Sequence, residues 1–75
     1  MNQSTLPEVL LNARQLLRLA QTEVAEYVGS SQSAYNNWEA GKHTPSMKYI
    51  PKLCQVLKLD INDVLPPPHN FLKIR

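Results

Sequence analysis

The chain has 75 residues, a net charge of +2 and one cysteine, which limits it to one small domain with a single modest hydrophobic core. The lone Cys54 excludes an internal disulfide, and its apolar helical position favours a small core residue over a reactive thiol. The mild positive charge is too weak to indicate a nucleic-acid partner by itself. No apolar run approaches the roughly 20 residues of a membrane span, and the N-terminus lacks a signal-peptide pattern, so we expect a cytoplasmic protein.

The first predicted element is an amphipathic helix near the N-terminus. Ser4 or Thr5 can cap it, and Pro7 suits a first turn, where its missing N–H group is no loss. Apolar side chains at three- and four-residue spacing predict the buried face, which comprises Leu6, Val9, Leu10, Ala13, Leu16 and Leu17.

Two closely spaced helices follow. The second helix is predicted to begin near Gln21 and to end at Gly29, because glycine readily adopts the left-handed conformation that terminates helices. Only two serines then precede a third helix, and Ser31 is placed as its N-cap. Ala25 is small where helices joined by so short a turn must approach closely. These features predict a helix-turn-helix.

The third helix, which begins at Gln32, carries two opposite arcs. Tyr35 and Trp38 lie with Ala34 on an apolar arc, which indicates that aromatic rings anchor the helix to the core. The other arc holds uncharged hydrogen-bonding side chains: Gln32, Ser33, Asn36 and Asn37. A solvated face usually carries Lys and Glu, whereas amides and hydroxyls suit the base edges in a DNA major groove.

Two further helices and a tail complete the chain. Ser46 can cap a fourth helix, which should be regular from about Lys48 so that Pro51 falls in its first turn. Asp60 is placed as the cap of a short fifth helix that Pro66-Pro67-Pro68 ends. The expected inner residues of the two helices are Ile50, Leu53, Cys54 and Leu57, then Ile61, Val64 and Leu65.

Apolar residues in the tail, Phe71, Leu72 and Ile74, allow two interpretations. They belong either to a frayed terminus or to a hook that docks on a second subunit. We therefore expect a domain over residues 1–65 and a proline-led tail over residues 66–75 that is a candidate dimer contact.

From Arg14 to Leu65 the sequence resembles the phage repressor/Cro type of helix-turn-helix domain, the XRE family. The resemblance rests on the order and spacing of Arg14, Gln21–Ala25, Gly29–Ser33, Trp38–Lys42, Pro45-Ser46 and Leu53–Leu57. It implies an all-α, five-helix lambda-repressor-like DNA-binding domain, with the helix-turn-helix formed by helices 2 and 3. It also implies a dimeric transcriptional regulator that binds a double-stranded DNA operator. Repression is the expected mode of action, and activation stays open.

The resemblance also implies roles for individual residues. Gln32, Ser33 and Asn37 match positions that contact base edges, and Asn36 is a neighbouring candidate for a base or a phosphate. Because Gln and Asn amides can bond adenine in a bidentate pair, A·T pairs are expected opposite Gln32 and Asn37. The residues implied to approach phosphates are Gln21, at the start of helix 2, and Lys42, His43, Thr44 and Ser46 in the loop after helix 3.

Other matching or departing positions are expected to be structural. Arg14 and Glu39 resemble an ion pair that ties helix 1 to the end of helix 3. Ala20 lacks the hydroxyl or amide that usually caps helix 2, and Lys58 stands where glycine often ends helix 4. Tyr35 replaces a usual aliphatic residue, so its hydroxyl needs a partner or water.

The sequence also bears on two other classes of function. An enzyme is not expected, because His43 and His69 are isolated, the carboxylates show no catalytic pairing and no Cys/His spacing suits zinc. No cofactor, metal or small-molecule ligand is therefore predicted. An antitoxin-like or other protein-interaction module on the same fold is the alternative, because a fold alone does not settle function.

Overall fold

Five α-helices and one 3-10 turn make up most of residues 5–64, the part of the chain that the computed structural model describes, with the side chains of residues 62 and 63 excepted. The helices are α1 (Leu6–Leu16), α2 (Gln21–Val28), α3 (Gln32–Ala40), α4 (Ile50–Leu57) and α5 (Ile61–Val64), and the 3-10 turn is Met47–Tyr49. The predicted all-α, five-helix fold is confirmed within residues 5–64, where no strand occurs. The predictions for Leu65 and for the tail, residues 66–75, lie outside the described residues.

Helix α1 begins as predicted but buries a narrower face. Thr5 is its N-cap, its N–H group donates to Glu8 Oε1 at 3.2 Å, and Pro7 stands in the first turn. The prediction for Leu16 is wrong, because 82% of its surface is exposed. At 100° per residue Leu17 lies about 20° from the buried Leu10, whereas Leu16 lies about 120° away. The end of the helix therefore turns Leu17, and not Leu16, toward the core.

The turn between α2 and α3 forms as the sequence predicts. Gly29 is left-handed, with φ of 84°, and both its N–H group and that of Ser30 donate to the carbonyl of Ala25 at 2.9 Å. The Ser31 hydroxyl then accepts from the N–H group of Ala34 at 3.0 Å and caps α3. These local hydrogen bonds fix the turn that sets α3 against α2.

Helix α2 has an unusual N-terminus, because Ala20 occupies the N-cap position. The Glu23 carboxylate compensates in part, since its Oε1 accepts from the Ala20 N–H group at 2.7 Å. This contact is the carboxylate half of a capping box, and the hydroxyl half is absent because alanine has no side-chain oxygen.

One hydrophobic core joins the helices, and its fully buried side chains include Leu10, Val24, Tyr35, Leu53 and Leu57. Helix α3 packs against α1 and α2, and α4 packs against α2 and α5. Two aromatic contacts lock α3 into this core. The Tyr35 and Trp38 rings meet edge to face, with their centroids 5.7 Å apart. The Trp38 and Tyr49 rings are tilted against each other, with their centroids 5.0 Å apart.

Helices α4 and α5 depart from prediction in detail. The regular part of α4 begins at Ile50, slightly later than the predicted Lys48, after a 3-10 turn in which Tyr49 donates to the Ser46 carbonyl at 3.0 Å. Pro51 then stands in the first turn of the α-helix, where it is tolerated. The prediction of Ile61 as an inner residue is wrong, because it is 44% exposed, whereas Val64 in the same short helix is 7% exposed and belongs to the core.

Candidate nucleic-acid interface

Helix α3 presents its polar arc to solvent and its apolar arc to the core. Gln32, Ser33 and Asn36 are exposed and Asn37 is half-buried. On the opposite side Tyr35 is fully buried and Trp38 is 5% exposed. The division into two arcs is therefore present, and the polar arc is the surface named here the α3 ridge (Gln32, Ser33, Asn36 and Asn37). Its contact with DNA bases stays a prediction.

The loop after α3 starts from a tightly capped helix end. Gly41 is left-handed, with φ of 78°, and its Cα lies so close to α1 that an added Cβ would sit 3.4 Å from Pro7 Cγ. The N–H group of Lys42 donates to the Asn37 carbonyl at 2.9 Å, which holds the first loop residue beside the α3 ridge. Pro45 is buried, whereas the predicted phosphate-binding residues Lys42, His43, Thr44 and Ser46 are all exposed.

An ion pair joins α1 to the end of α3. Arg14 donates through Nε to Glu39 Oε2 at 2.6 Å and through Nη2 to Oε1 at 3.0 Å, a bidentate pairing. Its remaining Nη1 donates to the Leu19 carbonyl at 2.9 Å and so fixes the turn after α1. The two side chains are 15% and 6% exposed, so little water competes with this pairing.

The charges of this pair stabilise each other. Burial alone raises the pKa of Glu39, but the hydrogen bonds from Arg14 and Gln21 act against burial, and the net pKa lies below its ordinary value. The hydrogen bond to Glu39 raises the pKa of Arg14. Glu39 is therefore ionised at neutral pH, and its charge is neutralised by Arg14.

Tyr35 brings a polar atom to the same region of the core. Its hydroxyl is buried and has no hydrogen-bond partner of good geometry among the described residues. Burial, with the neighbouring negative charge of Glu39, raises the pKa of Tyr35, so the phenol stays neutral. The polar groups beside this hydroxyl are the Glu39 carboxylate and the Arg14 guanidinium.

Gln21 has a partnership that sequence reasoning missed. Its Nε2 donates to Glu39 Oε1 at 2.9 Å, and its Oε1 accepts from Asn36 Nδ2 at 3.3 Å. The Gln21 side chain, predicted to face a phosphate, thus already makes two hydrogen bonds within the protein. One side-chain N–H and the free backbone N–H groups of the first turn of α2 are left for a phosphate. No sequence signal marks this contact, because Gln21 and Glu39 meet only where α2 and α3 cross.

The described residues between 5 and 64 contain neither a metal-binding cluster nor a membrane-spanning helix. Within them, no three His, Cys, Asp or Glu side chains are grouped so that they could hold a metal ion. None of the helices between residues 5 and 64 has the length and apolar character needed to cross a membrane.

Comparison with known proteins identifies the family of this fold. A family model described as Helix-turn-helix matches residues 10–64, which is well over half of the chain and includes both α2 and α3. The chain belongs to the helix-turn-helix family.

The chain is also similar to a phage repressor and to one solved repressor structure. The chain is 28% identical over 57 residues to the cryptic phage CTXphi transcriptional repressor RstR of Vibrio cholerae serotype O1. That match covers 76% of the chain and 51% of the relative, so the chain spans about half the length of RstR. Its fold is similar to the solution structure of the DNA-binding domain of the P22 C2 repressor, with a TM-score of 0.78 at 23% identity, covering 85% of this chain and 84% of the other.

Proposed function

We propose that this helix-turn-helix protein is a sequence-specific, double-stranded DNA-binding transcriptional regulator that acts as a repressor in the cytoplasm. The observation that carries the proposal is the α3 ridge, an exposed row of uncharged amides and a hydroxyl on a helix whose opposite side is locked by Tyr35 and Trp38. A rigid helix with such side chains suits the major groove, where they can pair with base edges. RstR is a transcriptional repressor and the P22 C2 fragment is the DNA-binding domain of a repressor, which supports the same class of function.

Sequence choice is assigned to the α3 ridge. Gln32 and Asn37 can each bond adenine in a bidentate pair, and the Ser33 hydroxyl can donate or accept. The ridge carries no formal charge, so its contribution depends on hydrogen-bond pattern and not on general attraction to DNA. This property distinguishes base contacts from phosphate contacts in an experiment.

Phosphate contacts are assigned to the two ends of the helix-turn-helix. At one end lie the first turn of α2 and the remaining N–H of Gln21. At the other lie the exposed Lys42, His43, Thr44 and Ser46, which follow the capped end of α3. Such contacts set register on the duplex and supply the salt-dependent part of the affinity.

A homodimer on a roughly palindromic operator is part of the proposal. Dimers of helix-turn-helix repressors place two recognition helices in successive major grooves, about 34–36 Å apart. The candidate contact is the tail segment 71–75. Deleting these five residues should shift sedimentation toward monomer, and a profile identical to that of the full chain would remove the tail from the dimer contact.

The decisive experiment is selection of bound duplexes from a random pool at a stated salt concentration. We expect one half-site to be enriched, in two inverted copies separated by about one helical turn. The four ridge residues should then account for the strongly preferred positions. A pool that shows no enrichment would contradict the proposal and would favour the alternative, an antitoxin-like or other protein-interaction module on the same fold.

A further inference from the structure

Three side chains on α2 and α3 form a directed row of hydrogen bonds, from Glu39 through Gln21 to Asn36, named here the amide relay. Its inner end is a carboxylate held by Arg14, and its outer end belongs to the α3 ridge. An ionised carboxylate can only accept hydrogen bonds, whereas an amide has a donating and an accepting end. One fixed charge can therefore orient each amide that follows it.

The orientation of Gln21 follows from Glu39. Only the Nε2 end of Gln21 can donate to Glu39 Oε1, and the observed distance is 2.9 Å. The reverse orientation would place the Gln21 carbonyl oxygen against a negative oxygen. Glu39 is 6% exposed and its pKa is lowered. At neutral pH this carboxylate is therefore charged and can only accept hydrogen bonds.

The orientation of Asn36 follows from that of Gln21. Because Gln21 turns its Oε1 toward α3, Asn36 meets it with Nδ2, at 3.3 Å. One N–H of Asn36 is then committed to the protein, and the carbonyl oxygen, at the other end of a planar amide, is left for a ligand together with the second N–H. Asn36 itself is exposed, so this oxygen is available to a partner.

We propose that Glu39, acting through Gln21, positions Asn36 to accept a hydrogen bond from a base that carries an exocyclic amino group in the major groove, which is adenine or cytosine. The inference rests on the proposed DNA-binding function and assigns the carbonyl oxygen of Asn36 to a base, because a phosphate oxygen cannot donate to it. The second N–H of Asn36 can donate to the same base or to a phosphate. Guanine and thymine present carbonyl oxygens at the equivalent positions and are disfavoured there. Glu39 and Gln21 are positioning residues in this scheme.

The test compares selected duplex pools for the wild type, Asn36→Ala, Gln21→Met and Gln55→Met. Asn36→Ala identifies the base position that depends on Asn36. Gln21→Met keeps an unbranched chain of similar length but removes both ends of the relay amide. Gln55→Met is the matched control, because it also removes an amide bonded to a side chain of another helix, the Tyr27 hydroxyl at 3.3 Å.

The readout is the preference for adenine or cytosine over guanine or thymine at the Asn36-dependent position. We expect about three- to tenfold in the wild type, the factor that one net hydrogen bond of ordinary strength gives. The preference should fall below about twofold in Gln21→Met and persist in Gln55→Met. Total affinity also falls in Gln21→Met through its phosphate contact, so only the ratio at this position is diagnostic.

Two results would overturn the positioning role while the DNA-binding proposal stands: a preference for guanine or thymine at that position, or an unchanged ratio in Gln21→Met. Failure of DNA binding itself would appear as no enrichment at any position of the wild-type pool. The relay can also be tested without DNA, by the side-chain amide signals of Asn36 in 15N–1H spectra. They should move in Gln21→Met and not in Gln55→Met, and signals that stay in place would refute the relay.

Discussion

Removing Arg14 should show how strongly the ion pair between α1 and α3 stabilises the protein. In Arg14→Met, an aliphatic stem of similar length remains, but Glu39, 6% exposed, loses both bonds of its bidentate partner. Breaking a fully buried pair costs about 3–5 kcal/mol, because one charge is left desolvated and unpaired. Arg14 is 15% exposed and Gln21 still donates to Glu39, so we expect a loss of about 2–4 kcal/mol at pH 7.

That loss is large against the free energy of unfolding expected for 75 residues, about 4–11 kcal/mol. Urea denaturation followed by the fluorescence of Trp38, the only tryptophan, gives the value directly. The exposed Arg18→Met is the matched control and should change stability by less than about 0.5 kcal/mol. In the double variant Arg14→Met/Glu39→Met much of the loss should be recovered, because no unpaired charge remains.

The pH dependence gives an independent test of the same pair. In the wild type the folded-state pKa of Glu39 lies below its ordinary value of 4.5, so the stabilisation is fully present above about pH 4.5 and is lost as the pH falls through the folded-state pKa. In Arg14→Met the two contributions of Arg14 that lower the pKa of Glu39 are lost while burial, the largest contribution, remains. The pKa of Glu39 should therefore be higher than in the wild type, and the variant should lose less stability on acidification. The difference in the free energy of unfolding between the wild type and Arg14→Met should therefore become smaller as the pH falls from 7 to 4. A loss below about 1 kcal/mol at pH 7, or a difference independent of pH, would refute this account of the pair.

Three further substitutions test separate parts of the structure. Asn37→Ala should lose about 1–3 kcal/mol of binding on the selected site and little on random duplex, as measured by titration, whereas equal losses on both would exclude a base contact. Lys42→Ala should weaken binding to all sequences and flatten the plot of log affinity against log salt by about one unit, and an unchanged slope would exclude a phosphate contact. Lys58→Gly should stabilise the fold by about 0.5–1 kcal/mol in urea denaturation, because Lys58 has φ of 57° in a region that favours glycine, whereas Lys52→Gly inside α4 should destabilise by about 1 kcal/mol. Equal effects at these two positions would contradict the backbone argument.

Local chemistry explains why much of the fold could be predicted. The Ser31 cap, the left-handed Gly29 and the first-turn Pro51 depend on residues a few positions apart, so the sequence contains all the partners involved. The two arcs of α3 follow in the same way from helical periodicity, which sets Tyr35 and Trp38 opposite the α3 ridge. Periodicity was less reliable at helix ends, where Leu16 and Ile61 match the apolar spacing but extend beyond the core.

The sequence by itself determined where the helices lie and which face of α3 is polar, because these properties depend on spacing along one chain. The pairing of Arg14 with Glu39 was available only through family resemblance, and the bonds of Gln21 to Glu39 and Asn36 were not foreseen at all. These contacts join residues 15 to 25 positions apart, and they form only where the crossing of α1, α2 and α3 brings their polar ends within hydrogen-bond distance. Tertiary structure thus decided which end of each amide faces outward, since that orientation depends on a neighbouring helix and not on the residue's own position.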